Sequence, residues 1–406
     1  MSSGASALEC ASQVAPASFF LTPDHQALAE RVEKFSRDRI ALTSAPEKHY
    51  IAEAIDNLKE IAGEGLLRYV VPGSHGGKFG AVDIRSLCLI RRGLSRYSAL
   101  ADSMFAMQGL GSYPITLAGS ESLKRRFLPR VSAGTAIAAF AVTEPQAGSD
   151  AASLQTSAQR TGADYVLNGT KKFISNAGIA DFYVVFAKTD PAQGRKGISA
   201  FVVEKDAPGL RMTQSLELIA PHPIGEFRLE GCRIPAENLV GLEGEGYSIM
   251  MRTLESFRTT VGAAALGLAE RALEEATAYA RKRVQFGKTL SEFEGLRFML
   301  AEMATQVEAS RLLILQAASK LDSVPAADRK NDSSLVLSSS MAKLFATESA
   351  QRVIDRALQI HGGMGVLKGS TVERLYREIR ALRVYEGTSE IQKEIIAHQL
   401  LRAGKN

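Results

Sequence analysis

A carboxylate, Glu386, sits in the stretch Val384-Tyr385-Glu386-Gly387-Thr388-Ser389-Glu390-Ile391-Gln392. Ser389 with Gln392 three residues on is a capping-box pattern, and Ile391, Ile395 and Ile396 follow it, so the spacing predicts a helix starting at Ser389. Upstream, Ser370 and Glu373 form a second capping box ahead of Val372, Leu375, Ile379 and Leu382 at helical spacing. Glu386 then lies on the loop between two helices, with Gly387 freeing the backbone behind it. A carboxylate held that way is fixed well enough to serve as a general base. Taken alone it reads first as an acid complementing a helix start, worth about 0.3–1 kcal/mol.

Four further segments could do chemistry. Phe140-Ala141-Val142-Thr143-Glu144-Pro145-Gln146-Ala147-Gly148-Ser149-Asp150 offers hydroxyls and free amides suited to the edge of a polar heterocycle, or is an ordinary turn before a strand. Phe173-Ile174-Ser175-Asn176 sets an aromatic face beside a hydroxyl, or is a core Phe next to a surface Ser. Arg283-Val284-Gln285-Phe286-Gly287-Lys288 puts cations where a long helix breaks, fit to hold phosphates or to complement a helix C-terminus. Gln359-Ile360-His361-Gly362-Gly363-Met364-Gly365 permits close backbone approach to a ligand, or is a helix cap. No G-x-G-x-x-G occurs, so a dinucleotide here is not held in the Rossmann manner.

The elements that must position these segments read as helical, then β, then helical. Leu28, Val32 and Phe35, and then Ile51, Ile55, Leu58 and Ile61, recur at helical spacing. The Gly-rich stretch from Val71 to Gly80 is a loop; its glycine spacing and Phe79 after Lys78 rule out a nucleoside-triphosphate site. The run from Tyr165 to Ile174 has Asn168-Gly169 at its centre and predicts a hairpin turning there. Phe182 to Ala187, Ile198 to Val203 and Gly225 to Ile234 read as further strands, closed by the Gly-rich joint at 241–246. Long helices follow from Leu254 to Arg283, Leu290 to Leu321 and Ser334 to Ile360, apolar on more than one face as in a bundle or at a subunit interface.

Composition narrows the class. The chain has 406 residues, 45% hydrophobic and 23% charged, as expected for a soluble protein with two or three domains. A net charge of +5 without basic clusters gives little support to nucleic-acid binding. The three cysteines, Cys10, Cys88 and Cys232, are far apart with no C-x-x-C, which suits reduced thiols in the cytoplasm. The histidines are scattered without H-E-x-x-H, so no metal is expected. No apolar run spans a bilayer, and residues 1–21 read as a disordered tail rather than a targeting segment.

In their order and spacing, the five motif segments closely resemble the acyl-CoA dehydrogenase family of flavoproteins, from about Thr22 to Leu401. The resemblance implies an α+β fold, mostly α. It has an N-terminal helical domain (22–139), a central β-barrel-like or sandwich domain (140–246) and a C-terminal four-helix bundle (247–406). The family usually assembles as a homotetramer, or a homodimer, with one FAD per subunit. By the resemblance Phe140, Val142, Thr143 and Ser149 lie along the flavin, and Ser149 also near the CoA chain. Phe173 packs on the flavin and Ser175 meets it near its reactive nitrogen. Arg283, Phe286, Gln359, Gly362 and Gly363 hold the ADP part, and Thr388 and Glu390 the pyrophosphate side.

Glu386 matches the catalytic base, with Gly387, Glu255 and Arg258 toward the substrate. One branch of the family carries its base on the first C-terminal helix, but that position here is Phe257, and Glu255 lies on another side of the helix. The implied reaction removes the α-proton of an acyl-CoA thioester and delivers the β-hydrogen to FAD, giving the trans-2-enoyl thioester. Electrons then pass to an electron-transfer flavoprotein. A dehydrogenase of acyl groups tethered to a carrier protein, an acyl-CoA oxidase and a non-catalytic flavin scaffold are the alternatives. Two departures stand out. Glu294 replaces a usual Gln beside FAD and needs a cation such as Arg297, and Ile219-Ala220-Pro221-His222-Pro223 replaces a Gly-, Arg- and Ser-containing loop.

Overall fold

The computed structural model describes residues 19–42, 49–326, 328–329 and 332–402. Cys10 and residues 1–18 of the expected tail lie outside them, but residues 19–21 are docked. Arg85 donates to the Phe20 carbonyl (3.0 Å), and Leu21 packs against Leu89 and Leu315.

Five described α-helices open the chain: α1 (Pro23–Asp38), α2 (Tyr50–Gly63), α3 (Ile84–Ser95), α4 (Ala99–Ala118) and α5 (Glu121–Ser132). Asp83, Ser98 and Ser120 start the last three, each accepting from the backbone N–H three residues on at 2.7, 3.1 and 3.2 Å. Leu28, Val32 and Phe35 face inward as their spacing requires.

The sheet follows: β1 (Ala138–Ala141), β2 (Ser157–Thr161), β3 (Asp164–Ser175), β4 (Phe182–Lys188), β5 (Ile198–Glu204), β6 (Leu210–Ser215), β7 (Ile224–Pro235) and β8 (Leu239–Val240). Its order is β6-β7-β3-β2-β4-β5-β8, with β1 beside β4 in parallel. The expected hairpin at Asn168-Gly169 is not there. β3 runs straight through it, and the turn falls at Gly162-Ala163, between Thr161 and its partner Asp164. Instead, the register against β7 slips between Leu167 and Gly169, and the Asn168 side chain accepts from the Gly231 N–H (2.7 Å). A Cβ at Gly169 would stand 2.4 Å from Thr156 Oγ1, so this glycine marks a bulge with a close approach, the other meaning of glycine in a strand.

β4 is buried on both faces. Phe182, Val184 and Phe186 join the large helical core, while Tyr183, Val185 and Ala187 join the core enclosed by the sheet. Strand alternation thus ties two cores through one element.

The chain returns to helices with α6 (Gly246–Lys282), α7 (Glu294–Ser323), α8 (Ser333–His361), α9 (Thr371–Leu382) and α10 (Ser389–Arg402), and a short hairpin, β9 (Val284–Gln285) and β10 (Lys288–Thr289), between α6 and α7. At the crossing of α3, α6 and α7, the fully buried Glu270 accepts from Arg92 Nε (2.8 and 3.0 Å) and Arg311 Nη2 (3.0 Å), with Arg96 at 3.9 Å. Burial alone would raise its pKa. The three guanidinium groups outweigh that and hold it at about 2.

Glu270→Gln should therefore lower unfolding stability at neutral pH by about 3–5 kcal/mol, the usual cost of stranding buried charges. A depressed carboxylate stabilises above its unfolded pKa and loses that contribution as it protonates in the folded state. The difference between variant and parent in urea melts should accordingly shrink as pH falls below about 4.3 toward 2.

Candidate active site

Glu386 lies on the short connection from α9 to α10. Tyr385 N–H closes α9 on Ala381 O (3.1 Å), and Ser389 N–H reaches back to Arg383 O (3.2 Å), so the connection is a tight loop. The cap of α10 differs from the expected box: Thr388 Oγ1 accepts from Ile391 N–H (3.3 Å), and the Ser389 hydroxyl bonds Glu348 instead. Glu348 also takes Arg383 Nε (2.8 Å). Gln392 turns back rather than capping: its buried amide donates to Gly387 O (3.1 Å) and Glu386 O (3.3 Å). At the other box, Ser370 caps α9 as expected, while Glu373 reaches Gly369 N–H (3.3 Å).

The backbone of the loop is strained. Glu386 has φ 53° and Gly387 φ 95°, left-handed values that cost on the order of 1–3 kcal/mol for a non-glycine residue. One carboxylate oxygen of Glu386, Oε2, is buried without a hydrogen-bond partner among the described residues. Burial raises the pKa of this group; Arg91, Lys343 and Arg258 pull against it, and Asp102 adds to it. The result is a half-buried carboxylate with one oxygen withdrawn from water and left with a free lone pair, as a general base requires.

The surrounding cations come from three helices. Arg91 on α3 is buried and held by Asp102 through both oxygens (2.9 Å each) and by Thr260 (2.9 Å). Against its burial, Asp102 keeps it firmly protonated. Lys343 on α8 donates to Gly387 O at 2.7 Å. Arg258 on α6 is buried with no salt-bridge partner among the described residues and its Nε unbonded, so it is not part of a structural ion pair. Phe257 is buried against Tyr113, ring centroids 5.4 Å apart. Glu255 lines a cleft with Tyr113, Leu117, Arg252, Ser256 and Arg329, and burial raises its pKa.

A second group joins segments 140–150 and 171–176. Glu144 accepts from Lys171 Nζ (2.8 Å), from the N–H groups of Gln155 (2.6 Å) and Thr156 (3.0 Å), and from Gln146 (2.8 Å). Burial opposes its ionisation, but Lys171 and these donors keep its pKa low. Lys171 also reaches Val142 O (3.0 Å), and Lys172 N–H bonds Thr143 O (2.9 Å). Phe140 packs edge-on to Phe186 (5.1 Å), and Ser149 is exposed. Phe173, at φ 56°, is 54% exposed. Ser175 Oγ lies 2.7 Å from His222 Nε2, and burial drives that imidazole down to about 4, so it is neutral at physiological pH. The loop at 219–223 is what delivers His222.

A third group is formed by Arg283, the C-cap of α6, and the 359–363 turn. Tyr279 stacks on His361 at 4.4 Å, setting the two segments side by side. Phe286, at φ 55°, is 94% exposed, and Gln359, Gly362 and Gly363 are exposed with it. No described hydrogen bond or ring contact joins this group to the second. Glu390 is exposed in the first turn of α10. Glu294 and Arg297 are both exposed, and no salt bridge between them is found among the described residues.

Among described non-glycine residues, the left-handed ones are Phe173, Asn176, Phe286 and Glu386, all within the motif segments. Sequence reasoning missed Arg91, Lys343 and His222. Lys343 carried one signal, a charge between apolar neighbours in Met341-Ala342-Lys343-Leu344-Phe345, whereas Arg91 is followed by Arg92 and reads as half of a basic pair.

Family models match the chain in three successive stretches: the acyl-CoA dehydrogenase N-terminal domain at residues 22–135, the middle domain at 139–232 and the C-terminal domain at 244–401. An acyl-CoA dehydrogenase of Bacillus subtilis is 38% identical over 386 residues, spanning 94% of this chain and 99% of that protein. Butyryl-CoA dehydrogenase from Megasphaera elsdenii superposes with a TM-score of 0.86 at 34% identity, covering 94% of this chain and 99% of that one. An acyl-CoA dehydrogenase complexed with FAD from Bacillus anthracis gives 0.87 at 31% identity, covering 95% and 68%.

The buried Glu144–Lys171 pair is open to direct test. Lys171→Met should cost about 3–5 kcal/mol in urea unfolding by leaving Glu144 unpaired, and adding Glu144→Gln should recover most of the loss.

Proposed function

The chain belongs to the acyl-CoA dehydrogenase family, and we propose that it carries out the α,β-dehydrogenation of an acyl-CoA thioester with Glu386 as the base. It is an oxidoreductase, and its cofactor is FAD. The observation that carries the reading is the unbonded, buried Oε2 of Glu386, held on a strained loop among Arg91, Arg258 and Lys343. A merely structural carboxylate would have closed a salt bridge with one of them.

The chain's residues suit FAD. The Phe173 ring is half-exposed beside a hydroxyl, and a Cβ built at Gly148, Gly362 or Gly363 meets nothing within 4 Å, leaving backbone open to a large ligand. In this reading Phe140, Val142, Thr143, Ser149, Phe173 and Ser175 hold the isoalloxazine end. Arg283, Phe286, Gln359, Gly362, Gly363, Thr388 and Glu390 hold the rest. Bound FAD supplies the acceptor for the hydride leaving the substrate's β-carbon.

The protein's own part is proton transfer and polarisation. The α-proton of a thioester is weakly acidic, so Glu386 Oε2 has to meet it within hydrogen-bond reach while negative charge grows on the carbonyl oxygen. The N–H of Glu386, held by the same loop, is the protein donor to that oxygen. The fixed positive charges of Arg91 and Arg258 favour the developing anion, and the raised pKa of Glu386 makes it a stronger base once ionised. Glu255, Arg258, Gly387 and Ser149 line the path of the CoA thioester.

The electrons pass to an electron-transfer flavoprotein. Exposed apolar side chains, among them Phe286, Phe298, Val366 and Leu367, suit contact with another subunit, and the homotetramer is proposed from the family resemblance. No described helix is long and apolar enough to cross a membrane. The two described cysteines, Cys88 and Cys232, are free and buried, which suits a reducing setting such as the cytoplasm.

Glu386→Gln should keep the flavin colour and bind acyl-CoA but lose at least ~10²-fold in turnover; a near-normal rate would remove Glu386 from the mechanism. In the parent enzyme, activity requires ionised Glu386, so the acid limb of kcat/KM should lie above the ordinary Glu value of about 4.3. A panel of acyl-CoAs should bleach the flavin without oxygen. Bleaching only by an acyl-carrier protein would assign a tethered substrate instead, and rapid reoxidation by oxygen would assign an oxidase.

A further inference from the structure

Lys343 has no ordinary reason to be where it is. It lies on α8 among Ala342, Ala346 and Thr347, and its side chain is fully buried. No salt bridge partners it among the described residues. Its one described side-chain hydrogen bond is the 2.7 Å donation to the carbonyl of Gly387. An ammonium taken from water for a single carbonyl is unfavourable, and Met or Leu would fill the space without that penalty.

What the bond does is local to the base. Gly387 O is held from two sides, by Lys343 Nζ and by Gln392 Nε2 (3.1 Å), and Gln392 also donates to Glu386 O (3.3 Å). Those two carbonyls flank the φ 53° and φ 95° residues, so the two side chains brace the left-handed turn. A Cβ at Gly387 would come within 2.4 Å of Gln392 Nε2, so the brace also selects glycine there.

Resting on the assignment of Glu386 as the base, we propose that Lys343 is its positioning residue. It clamps the carbonyl of Gly387 to hold the strained loop, and at neutral pH it sets a positive charge near the carboxylate. The charge environment is defined on each side. Glu386 faces Arg91 from α3, Asp102 from α4, Arg258 from α6 and Lys343 from α8, with the Tyr385 phenol on its own loop. Lys343 in turn feels Glu386, Arg258, Glu348 and Arg383, and burial brings its pKa down to about 8. Loss of the ammonium should therefore raise the pKa of Glu386, which a packing role would not do.

The test is a titration of the Glu386 carboxyl by infrared difference spectroscopy of the FAD-loaded protein without substrate, with Glu386→Gln as the assignment control. Lys343→Met should raise that pKa by about one unit or more, as expected for removal of a nearby opposite charge. Turnover should fall at least tenfold at neutral pH, with the acid limb of the rate profile displaced upward to match. Lys343→Arg should leave the titration near that of the parent. Should the Met variant not fold, Lys343→Gln keeps one donor for Gly387 without the charge and should show the same rise. A Glu386 titration unmoved in both neutral variants, with only thermal stability reduced, overturns the proposal. The titration needs no turnover, so a protein that oxidises no acyl-CoA would defeat the proposed reaction while the carboxyl pKa still decides the role of Lys343.

Discussion

A base that works on a weak carbon acid has to be dry and unbonded at once, and the two demands conflict. Burying a carboxylate without partners is among the least favourable things a fold can do. Glu386, the base proposed above, answers both demands by standing among cations, with no salt bridge to any of them found among the described residues. Arg91 is occupied by Asp102 and Thr260, Lys343 by the carbonyl of Gly387, and Arg258 sits without a hydrogen bond at Nε. The field of three positive groups offsets part of the desolvation while the reactive oxygen stays free. Burial, with a smaller contribution from the neighbouring Asp102, keeps that field from drawing the carboxylate fully back to ordinary acidity.

That arrangement dictates much of the helical architecture. The charged groups come from α3, α4, α6 and α8, so four helices must hold their relative positions for Glu386 to keep its environment. The Glu270 cluster fastens α3, α6 and α7 at a separate crossing, and Glu348 fastens α8 to the Ser389 end of the loop. On the sheet side, Glu144 and Lys171 bind the turn after β1 to the bulged end of β3. Strained backbone appears at Phe173, Asn176 and Glu386, close in the chain to these contacts, and at Phe286, in the turn of the β9–β10 hairpin.

The order of helical and β regions was legible in the sequence because amphipathic spacing and strand runs are local signals. So was the place of Glu386, on a short connection between two helices. What the sequence concealed were the consequences of distance along the chain. Asn168-Gly169 has the composition of a hairpin, and only β7 on the far side of β3 makes it a bulge. Ser389 has the composition of a cap, but Glu348, forty-one residues earlier, claims its hydroxyl and passes the cap to Thr388. Arg91 and Lys343 read as stray charges until Asp102, Thr260 and Gly387 are brought to them. His222 sat in a loop that matched no expected pattern, and its tie to Ser175 crosses 47 residues.

The two-sided burial of β4 bears on how the molecule comes apart. A strand whose odd and even residues are built into different hydrophobic cores cannot leave one without opening the other. The central sheet is therefore not an autonomous module, although its boundaries look like those of one. Loosening it strips Phe182, Val184 and Phe186 from the helical interior, so the sheet and the helices it touches should open as one cooperative unit. Grafting a relative's sheet into this chain would succeed or fail on whether those three side chains, with Ile198, Ala200 and Val202 of β5 in the same core, still fit the helices behind them.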